Sequence, residues 1–226
     1  QGICFVGKVD LPVFLQQKLK PKEGNVIEIF ATEEERQPYT QAALKAGECV
    51  ADLQGNVLVA SNELGEKYVD YSAEELASMA APVVYKPEMG KIIGKHTGAQ
   101  FYTIGQRRGL NIGGHKDSVF VIETDVAKNL IYVGEGHTHK GLSRSCLRIS
   151  PEDIHWIRQD LVLEPGCMRR CRVRIRYRQP LQDALLIMRE NGLYILFDKP
   201  QRGITPGQFA VWYDCDEMLG SGVILK

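Results

Sequence analysis

The stretch RCRVRIRYR, residues 170–178, alternates arginine with less polar residues at every second position. A period of two is the spacing of a β-strand, in which successive side chains point to opposite faces. The pattern therefore predicts a strand over Cys171–Tyr177 with all five arginines on one face. Further strand-like runs follow at intervals of roughly ten residues, a spacing that predicts a small closed β-barrel: Asp183–Arg189, Gly192–Phe197, Phe209–Tyr213 and Gly222–Leu225.

The region upstream of this barrel mixes strands with helices. Strands are expected where β-branched and aromatic residues lie between turn residues: Val26–Phe30, Lys91–Gly94, Phe101–Ile104, Val119–Glu123 and Leu130–Val133. Helices are expected at Leu11–Leu19, Thr40–Ala46 and Ser72–Ala80, with a hairpin turn at residues 54–56. The helix at Ser72–Ala80 begins with a capping box formed by Ser72 and Glu75.

These elements predict a fold that is mainly β with minor α. A small central α+β domain is expected at residues 1–141 and a C-terminal β-barrel at 142–226, with the boundary near the glycine- and histidine-rich segment 134–141. Residues 31–91 hold eleven acidic against five basic side chains, so about 31–89 is interpreted as an acidic insertion with its own small structure. Residues 92–226 hold nineteen basic against fourteen acidic side chains.

Composition excludes several classes of protein. The chain has 226 residues, 44% of them hydrophobic, which is enough to bury a core. No apolar run approaches the ~20 residues that cross a bilayer, and we expect a cytoplasmic protein. Six cysteines are too few for a disulfide scaffold, and the spacing of Cys167 and Cys171 matches no common zinc site. His137 and His139 have no evident third ligand, so no metal site is predicted.

The arginine stretch at 170–178 has two interpretations. Alternate side chains on a strand lie about 6.5–7 Å apart, which suits successive phosphates of an RNA backbone, and Tyr177 offers a surface for base stacking. This interpretation makes Arg174, Arg176 and Arg178 candidate contacts for RNA. The alternative is an exposed sheet face whose arginines pair with carboxylates on adjacent strands, such as Asp183 and Glu190.

Two loops and one cysteine are further candidates. The glycine-rich segment 103–114 carries Arg107 and Arg108 and permits close approach of a ligand, although an ordinary connection between strands has the same composition. The segment 198–208 presents Arg202, Thr205 and Gln208, or forms only a structural corner. Cys4, flanked by Gly2 and Gly7, is either a small buried hydrophobic residue or an accessible thiol.

Four segments, in this order along the chain, resemble the tRNA-specific 2-thiouridylases of the MnmA type: GICFVG at 2–7, YTIGQRRGL at 102–110, RYRQ at 176–179 and TPGQ at 205–208. The resemblance covers most of the chain except roughly Ala31 to Glu88. It implies a C-terminal six-stranded antiparallel β-barrel that holds the anticodon arm of tRNA. It also implies sulfur transfer to C2 of the wobble uridine.

The resemblance assigns roles to individual residues. Cys4 corresponds to the catalytic cysteine that accepts sulfur as a persulfide from a sulfur-carrier protein. Arg176, Tyr177 and Gln208 correspond to tRNA contacts, and Arg107 extends that set less securely. The family's ATP-pyrophosphatase domain, which uses ATP and magnesium, has no counterpart in this chain, so the chain by itself is expected to be inactive. A non-catalytic RNA-binding barrel and a protein-interaction module are the alternatives.

Overall fold

The computed structural model describes residues 19–31 and 71–225. The predicted helices at Leu11–Leu19 and Thr40–Ala46, the turn at 54–56 and Cys4 lie outside this part of the chain, apart from Leu19 itself. Within it, the residues form two compact units, the first from 19–31 and 83–142 and the second from 71–82 and 143–225. No helix among the described residues is long and apolar enough to cross a membrane.

The first unit is built on a four-stranded sheet in the order β2-β1-β4-β3. The strands are β1 Gly24–Glu28, β2 Lys91–His96, β3 Val119–Asp125 and β4 Leu130–Glu135. β1 runs antiparallel to β2 and parallel to β4, and β3 and β4 form a hairpin. Alternation along β1 places Val26 in one apolar cluster and Ile27 in another, so both faces of the sheet are covered.

The second unit is a closed antiparallel barrel in the strand order β10-β5-β8-β7-β6-β9. The strands are β5 Ser143–Trp156, β6 Met168–Arg174, β7 Gln182–Arg189, β8 Gly192–Arg202, β9 Phe209–Asp214 and β10 Glu217–Ile224. Leu, Ile and Val side chains fill its interior together with the edge-to-face pair Trp156 and Trp212, whose ring centroids are 5.2 Å apart. The predicted fold class, mainly β with a six-stranded barrel, is confirmed.

Three sequence predictions of secondary structure are wrong or incomplete. The sequence does not predict β5, because the polar segment 150–153 interrupts its apolar pattern. The strand pairs with β8 over 143–149 and with β10 at Ile149 and over 154–156. The strand expected at Phe101–Ile104 is replaced by a 3-10 turn at Ala99–Phe101 and a loop. The change follows the backbone, since Gly98 and Gly105 both have positive φ.

The third correction concerns the arginine-rich strand, which ends at Arg174 rather than at Tyr177. Residues 175–179 form a turn, closed by a hydrogen bond from the amide of Gln179 to the carbonyl of Arg176 (3.1 Å). Pro180, which has no N–H for a strand ladder, follows directly. Only Arg170, Arg172 and Arg174 therefore project from one strand face, opposite the buried Cys171 and Val173.

Helix α1, Ala73–Ala80, begins with the predicted capping box: the amide of Glu75 donates to Ser72 Oγ, and the amide of Ser72 donates to the Glu75 carboxylate. Its buried face, Leu76 and Ala80, packs against outward-facing barrel side chains. The sequence placed this segment in a separate acidic insertion. In the structure it covers apolar barrel residues that would otherwise be exposed to water, which is the physical reason that it belongs to this unit.

Gly220 on β10 pairs with both tryptophan-bearing strands and leaves no room for a side chain. A Cβ at this position would lie 2.7 Å from Trp212 Cζ2 and 2.6 Å from the backbone oxygen of His155. We expect Gly220→Ala to reduce the free energy of unfolding by about 1–3 kcal/mol. The added methyl group would collide with the backbone carbonyl of His155, which cannot move without displacing β5. Denaturant unfolding followed by tryptophan fluorescence measures this, since both tryptophans lie in the barrel.

Ser221→Ala, at the next position of the same strand, is the control. We expect it to change the stability by less than about 0.5 kcal/mol. Equal stabilities for the two variants would show that the barrel relaxes around Gly220.

Candidate nucleic-acid interface

One end of the barrel brings two distant segments together. The β6–β7 turn (175–181) meets the β8–β9 loop (203–208), because Arg176 Nη2 donates to the carbonyl of Gly203 (3.0 Å). Glutamine side chains tie the β6–β7 turn to the neighbouring strands: Gln179 Nε2 donates to Oε1 of Gln201 on β8 (2.6 Å), and Gln201 Nε2 donates to Oε1 of Gln182 on β7 (3.3 Å). We call this end of the barrel, with residues 174–179 and 202–208, the basic end.

The first two arginines of the stretch are already neutralised. Arg170 forms a two-pronged ion pair with Asp198, with N–O distances of 2.7 and 2.5 Å. Arg172 donates to the carbonyl of Cys215 and lies 3.7 Å from the carboxylate of Asp216. The interpretation as a paired sheet face is therefore correct for these two arginines, although their partners are Asp198 and Asp216 rather than Asp183 and Glu190.

The arginines nearer the turn have different surroundings. Arg174 Nη1 donates to the carbonyl of Tyr177 (3.3 Å), and its guanidinium lies over the ring of Tyr213 at 5.9 Å. Among the residues that the structure describes, Arg174, Arg176 and Arg178 form no ion pair with a carboxylate. Positive charge therefore accumulates at the basic end, where an anion would be stabilised.

Aromatic and polar groups accompany this charge. Tyr177 is 79% exposed at the tip of the β6–β7 turn, which leaves both faces of its ring accessible for stacking. Gln208 is exposed in the β8–β9 loop, and its backbone carbonyl accepts the amide of Ile224 (2.8 Å), which fixes the loop against β10. The structure thus brings together five residues predicted from the sequence: Arg174, Arg176, Tyr177, Arg178 and Gln208.

Arg107 lies in the first unit, on the glycine-rich loop. The amide of Gly105 donates to the carbonyl of Val121 (2.7 Å), and the amide of Val121 donates to the carbonyl of Gln106 (2.9 Å), so the base of the loop is fixed to β3. Tyr102 Oη donates to the carbonyl of Gly109 (3.1 Å). The exposed Arg107 borders a cavity of 320 Å³ lined by residues 110–119.

A histidine anchors the far side of the same loop, which the sequence did not single out. His115 Nε2 lies 2.9 Å from Glu28 Oε1, a buried carboxylate on β1, and Nδ1 lies 3.2 Å from the carbonyl of Gly113. The hydrogen bond to Glu28 raises the pKa of His115 above its ordinary value. In the same unit, burial lowers the pKa of His96.

The described cysteines are all free thiols, and two of them are deeply buried. Burial raises the pKa of Cys146 and of Cys171 to about 12, so neither forms a thiolate near neutral pH. Cys215 is exposed at the β9–β10 turn. Among the residues described, no group of three or more His, Cys, Asp or Glu side chains could hold a metal ion.

Known proteins match the chain over both units. Residues 145–224 match a family model described as aminomethyltransferase beta-barrel domain, and residues 70–135 match one described as tRNA methyl transferase PRC-barrel domain. A relative from Flavobacterium johnsoniae, named tRNA-specific 2-thiouridylase MnmA, is 44% identical over 224 residues, 99% of this chain. The chain belongs to the tRNA-specific 2-thiouridylase family.

Other members of the family support this assignment. Relatives of the same name from Christiangramia forsetii and Limosilactobacillus fermentum are 43% and 39% identical over 99% and 81% of this chain. The chain spans about half the length of the curated relatives that it matches, 50% for the first two.

The ion pair of His115 and Glu28 predicts a pH dependence in the first unit. Because the pKa of His115 is higher in the folded than in the unfolded protein, its protonation stabilises the fold. This stabilisation is complete below the unfolded-state pKa of about 6.5 and is lost as the pH rises through the folded-state pKa. We therefore expect His115→Gln to cost more stability at pH 6 than at pH 8.5. Hydrogen exchange of the β3 and β4 amides measures the stability of this unit. Tryptophan fluorescence does not report on it, because both tryptophans lie in the other unit.

Glu28→Gln keeps the imidazole of His115 but removes the carboxylate that pairs with it. We expect it to weaken the pH dependence of the stability as His115→Gln does. Parallel stability profiles for the wild type and both variants would show that the pair does not set this dependence. His96 is present in all three proteins, so its opposing contribution cancels from the comparison.

Proposed function

We propose that this chain forms part of an enzyme that transfers sulfur to C2 of the wobble uridine of tRNA. The observation that carries the proposal is the alignment of 99% of the chain, at 44% identity, with a relative named tRNA-specific 2-thiouridylase. Arg174, Arg176 and Arg178, which form no ion pair with a described carboxylate, support it, since they supply the positive charge that an RNA backbone requires. On this proposal the enzyme acts in the cytoplasm.

The barrel's part in this function is to bind the anticodon arm. Arg174, Arg176 and Arg178 contact phosphates, Tyr177 stacks on an unpaired base, and Gln208 supplies a hydrogen bond from the adjacent loop. Because Arg170 and Arg172 are held by Asp198 and Asp216, they contribute less to binding. Arg107 offers a further phosphate contact from the glycine-rich loop.

Cys4 carries the chemistry. Its thiolate attacks the terminal sulfur of a carrier protein's persulfide; a new S–S bond forms on Cys4, and the carrier's cysteine leaves as a thiolate. The terminal sulfur of the Cys4 persulfide then attacks C2 of the uridine, and the C2 oxygen departs as a leaving group that is activated outside this chain. A second thiol, outside this chain, releases the sulfur by forming a disulfide with Cys4, and a dithiol must later reduce that disulfide.

ATP does not fit the residues of this chain. The glycine-rich loop at 103–114 lacks the Gly-Lys-Ser/Thr ending of a phosphate-binding loop, and its glycines open onto a groove rather than the start of a helix. The chain by itself is proposed to bind tRNA without thiolating it.

The alternative is a non-catalytic RNA-binding barrel, and Cys4 distinguishes the two functions. In the full-length protein that contains this chain, we expect Cys4→Ser to abolish formation of 2-thiouridine while leaving tRNA affinity within about twofold. Mass spectrometry of digested tRNA measures the product. Cys215→Ser is the control, because it removes an exposed thiol with no assigned role and should leave thiolation intact; continued thiolation by Cys4→Ser would sink the catalytic assignment.

The tRNA interface is tested by salt dependence. We expect Arg176→Ala to weaken tRNA binding by about 1–3 kcal/mol and to lower the slope of log K against log salt by about 1, because one phosphate contact is lost. Filter binding between about 50 and 200 mM salt measures both. Arg172→Ala is the control, since Asp216 and the Cys215 carbonyl already occupy that guanidinium, and an unchanged slope for Arg176→Ala would remove the barrel from the interface.

A further inference from the structure

The two ends of the β8–β9 loop are fixed in different ways. At the far end, the amide of Gly207 donates to the carbonyl of Ile224 (2.9 Å), and the amide of Ile224 donates to the carbonyl of Gln208 (2.8 Å), so the loop continues the pairing of β10. At the near end, Arg144 Nη2 donates to the carbonyl of Ile204 (3.0 Å), and the Ile204 side chain is buried in the barrel interior. The near end is therefore held by an arginine side chain as well as by the core.

Arg144 joins this loop to helix α1. It is the second residue of β5, opposite Gln201 of β8, and its Nη1 donates to the carbonyl of Ala80, the last residue of α1 (2.7 Å). The last turn of α1 contains no basic residue of its own. Arg144 thus supplies from β5 the hydrogen bond and the positive charge that stabilise the carboxyl end of a helix.

The guanidinium of Arg144 is an unusual choice for this position. It is half-buried, burial lowers the pKa of Arg144, and it forms no ion pair with any carboxylate that the structure describes. Burying a charge costs free energy, which its hydrogen bonds offset in part. An apolar side chain would avoid this cost, but only a forked group with several donors can join two separate carbonyls at once.

The peptide next to Ile204 fixes Arg176. The carbonyl of Gly203 accepts from Arg176 Nη2 (3.0 Å) and from Thr205 Oγ1 (3.0 Å). Gly203 has a φ of 69°, and a Cβ on it would lie 3.1 Å from Arg176 Cζ, so the guanidinium lies directly against the glycine backbone. Because the carbonyls of Gly203 and Ile204 belong to adjacent peptide groups, a shift of the second would also move the first, which anchors Arg176.

We infer that α1 and Arg144 hold the β8–β9 loop in the conformation that presents Arg176 to a phosphate of tRNA. Arg144 is a positioning residue, which contacts the helix and the loop but not RNA. The helix, which the sequence places in an acidic insertion, thereby supports the tRNA interface. A loop that is ordered before RNA arrives raises affinity, because less conformational freedom is lost on binding. The inference rests on the proposed tRNA-binding function of the barrel.

A double-mutant cycle in the full-length protein that contains this chain tests whether Arg144 acts through Arg176. We expect Arg176→Ala to weaken tRNA binding by about tenfold, and Arg144→Gln by about fivefold because Arg176 loses its fixed acceptor. In the double variant, Arg144→Gln should add less than about twofold, since the contact that it supports is already absent. A multiplicative loss of about fiftyfold would overturn the inference.

Salt dependence distinguishes positioning from direct contact. The slope of log K against log salt should fall by about 0.7–0.9 in Arg176→Ala, the value for one phosphate, and by no more than this in the double variant with Arg144→Gln. A further fall of the same size in the double variant would show that Arg144 itself contacts the RNA backbone, which contradicts a positioning role.

Arg169→Gln is the matched control for a loss of stability alone. Arg169 is a buried arginine near the start of β6, and its Nη1 donates to the carbonyl of Leu161 (2.8 Å), at the opposite end of that strand from Arg174 and the basic end. Both Arg169→Gln and Arg144→Gln should lower the unfolding midpoint. Only Arg144→Gln should weaken tRNA binding when the affinity is measured well below both midpoints.

Two variants test the part played by α1 while leaving every arginine in place. Leu76→Ala truncates the fully buried side chain that packs α1 against the barrel, and Ser72→Ala removes the N-cap at a smaller cost in stability. We expect both to weaken tRNA binding, and to do so much less when Arg144→Gln is also present. Wild-type affinity in both variants would remove α1 from the inference.

The outcomes separate this inference from the proposed function. If Arg176→Ala weakens tRNA binding but Arg144→Gln binds tRNA as well as Arg169→Gln does, Arg144 has only a structural role; the positioning is then wrong and the proposed function stands. If Arg176→Ala leaves tRNA binding unchanged, the tRNA interface of the barrel itself fails.

Discussion

The double pairing of β5 is the constraint on which the barrel depends. Its first half is hydrogen-bonded to β8 and its second half to β10, so one long strand joins two edges that would otherwise remain open. Closing a sheet in this way removes exposed edges and encloses the side chains of the inner face. Gly220 permits it where β10 lies against the ring of Trp212 and the backbone of β5, because a Cβ there would collide with both.

Barrel closure also determines which arginines of the 170–178 stretch are paired with carboxylates. Asp198 on β8 pairs with Arg170, and Asp216 in the β9–β10 turn lies near Arg172, whereas Arg176 and Arg178, in the turn after Arg174, form no ion pair with a described carboxylate. An unbroken strand would have produced a uniform row of five charges. In the barrel, the positive charges of Arg170 and Arg172 are paired on the strand face, and the unpaired positive charge of Arg174, Arg176 and Arg178 is concentrated at the basic end.

Burial also determines the protonation state of two cysteine thiols. Cys171 lies in the barrel interior and Cys146 in the apolar cluster under α1, and burial in both places favours the neutral thiol over the thiolate. Neither of these two thiols is therefore suited to accept sulfur as a thiolate. In the other unit, Glu28 stabilises the charged form of His115 and ties the glycine-rich loop to β1, so burial and pairing there act in opposite directions on His96 and His115.

The sequence by itself determined the fold class, most of the strands, the capped helix and the family, because alternation, turn residues and short motifs are local properties. It also predicted tRNA contacts at Arg174, Arg176, Tyr177, Arg178 and Gln208, and the structure places these residues at one end of the barrel. Only the tertiary structure revealed β5, whose polar centre conceals its two pairings, and the carboxylate partners of Arg170 and Arg172. The contacts of Arg144 and Arg176 were equally hidden, because they join side chains to backbone carbonyls about 30 to 60 positions away in the chain. Ion pairs and charge clusters depend on distance in space, and that distance is set by barrel closure rather than by spacing along the sequence.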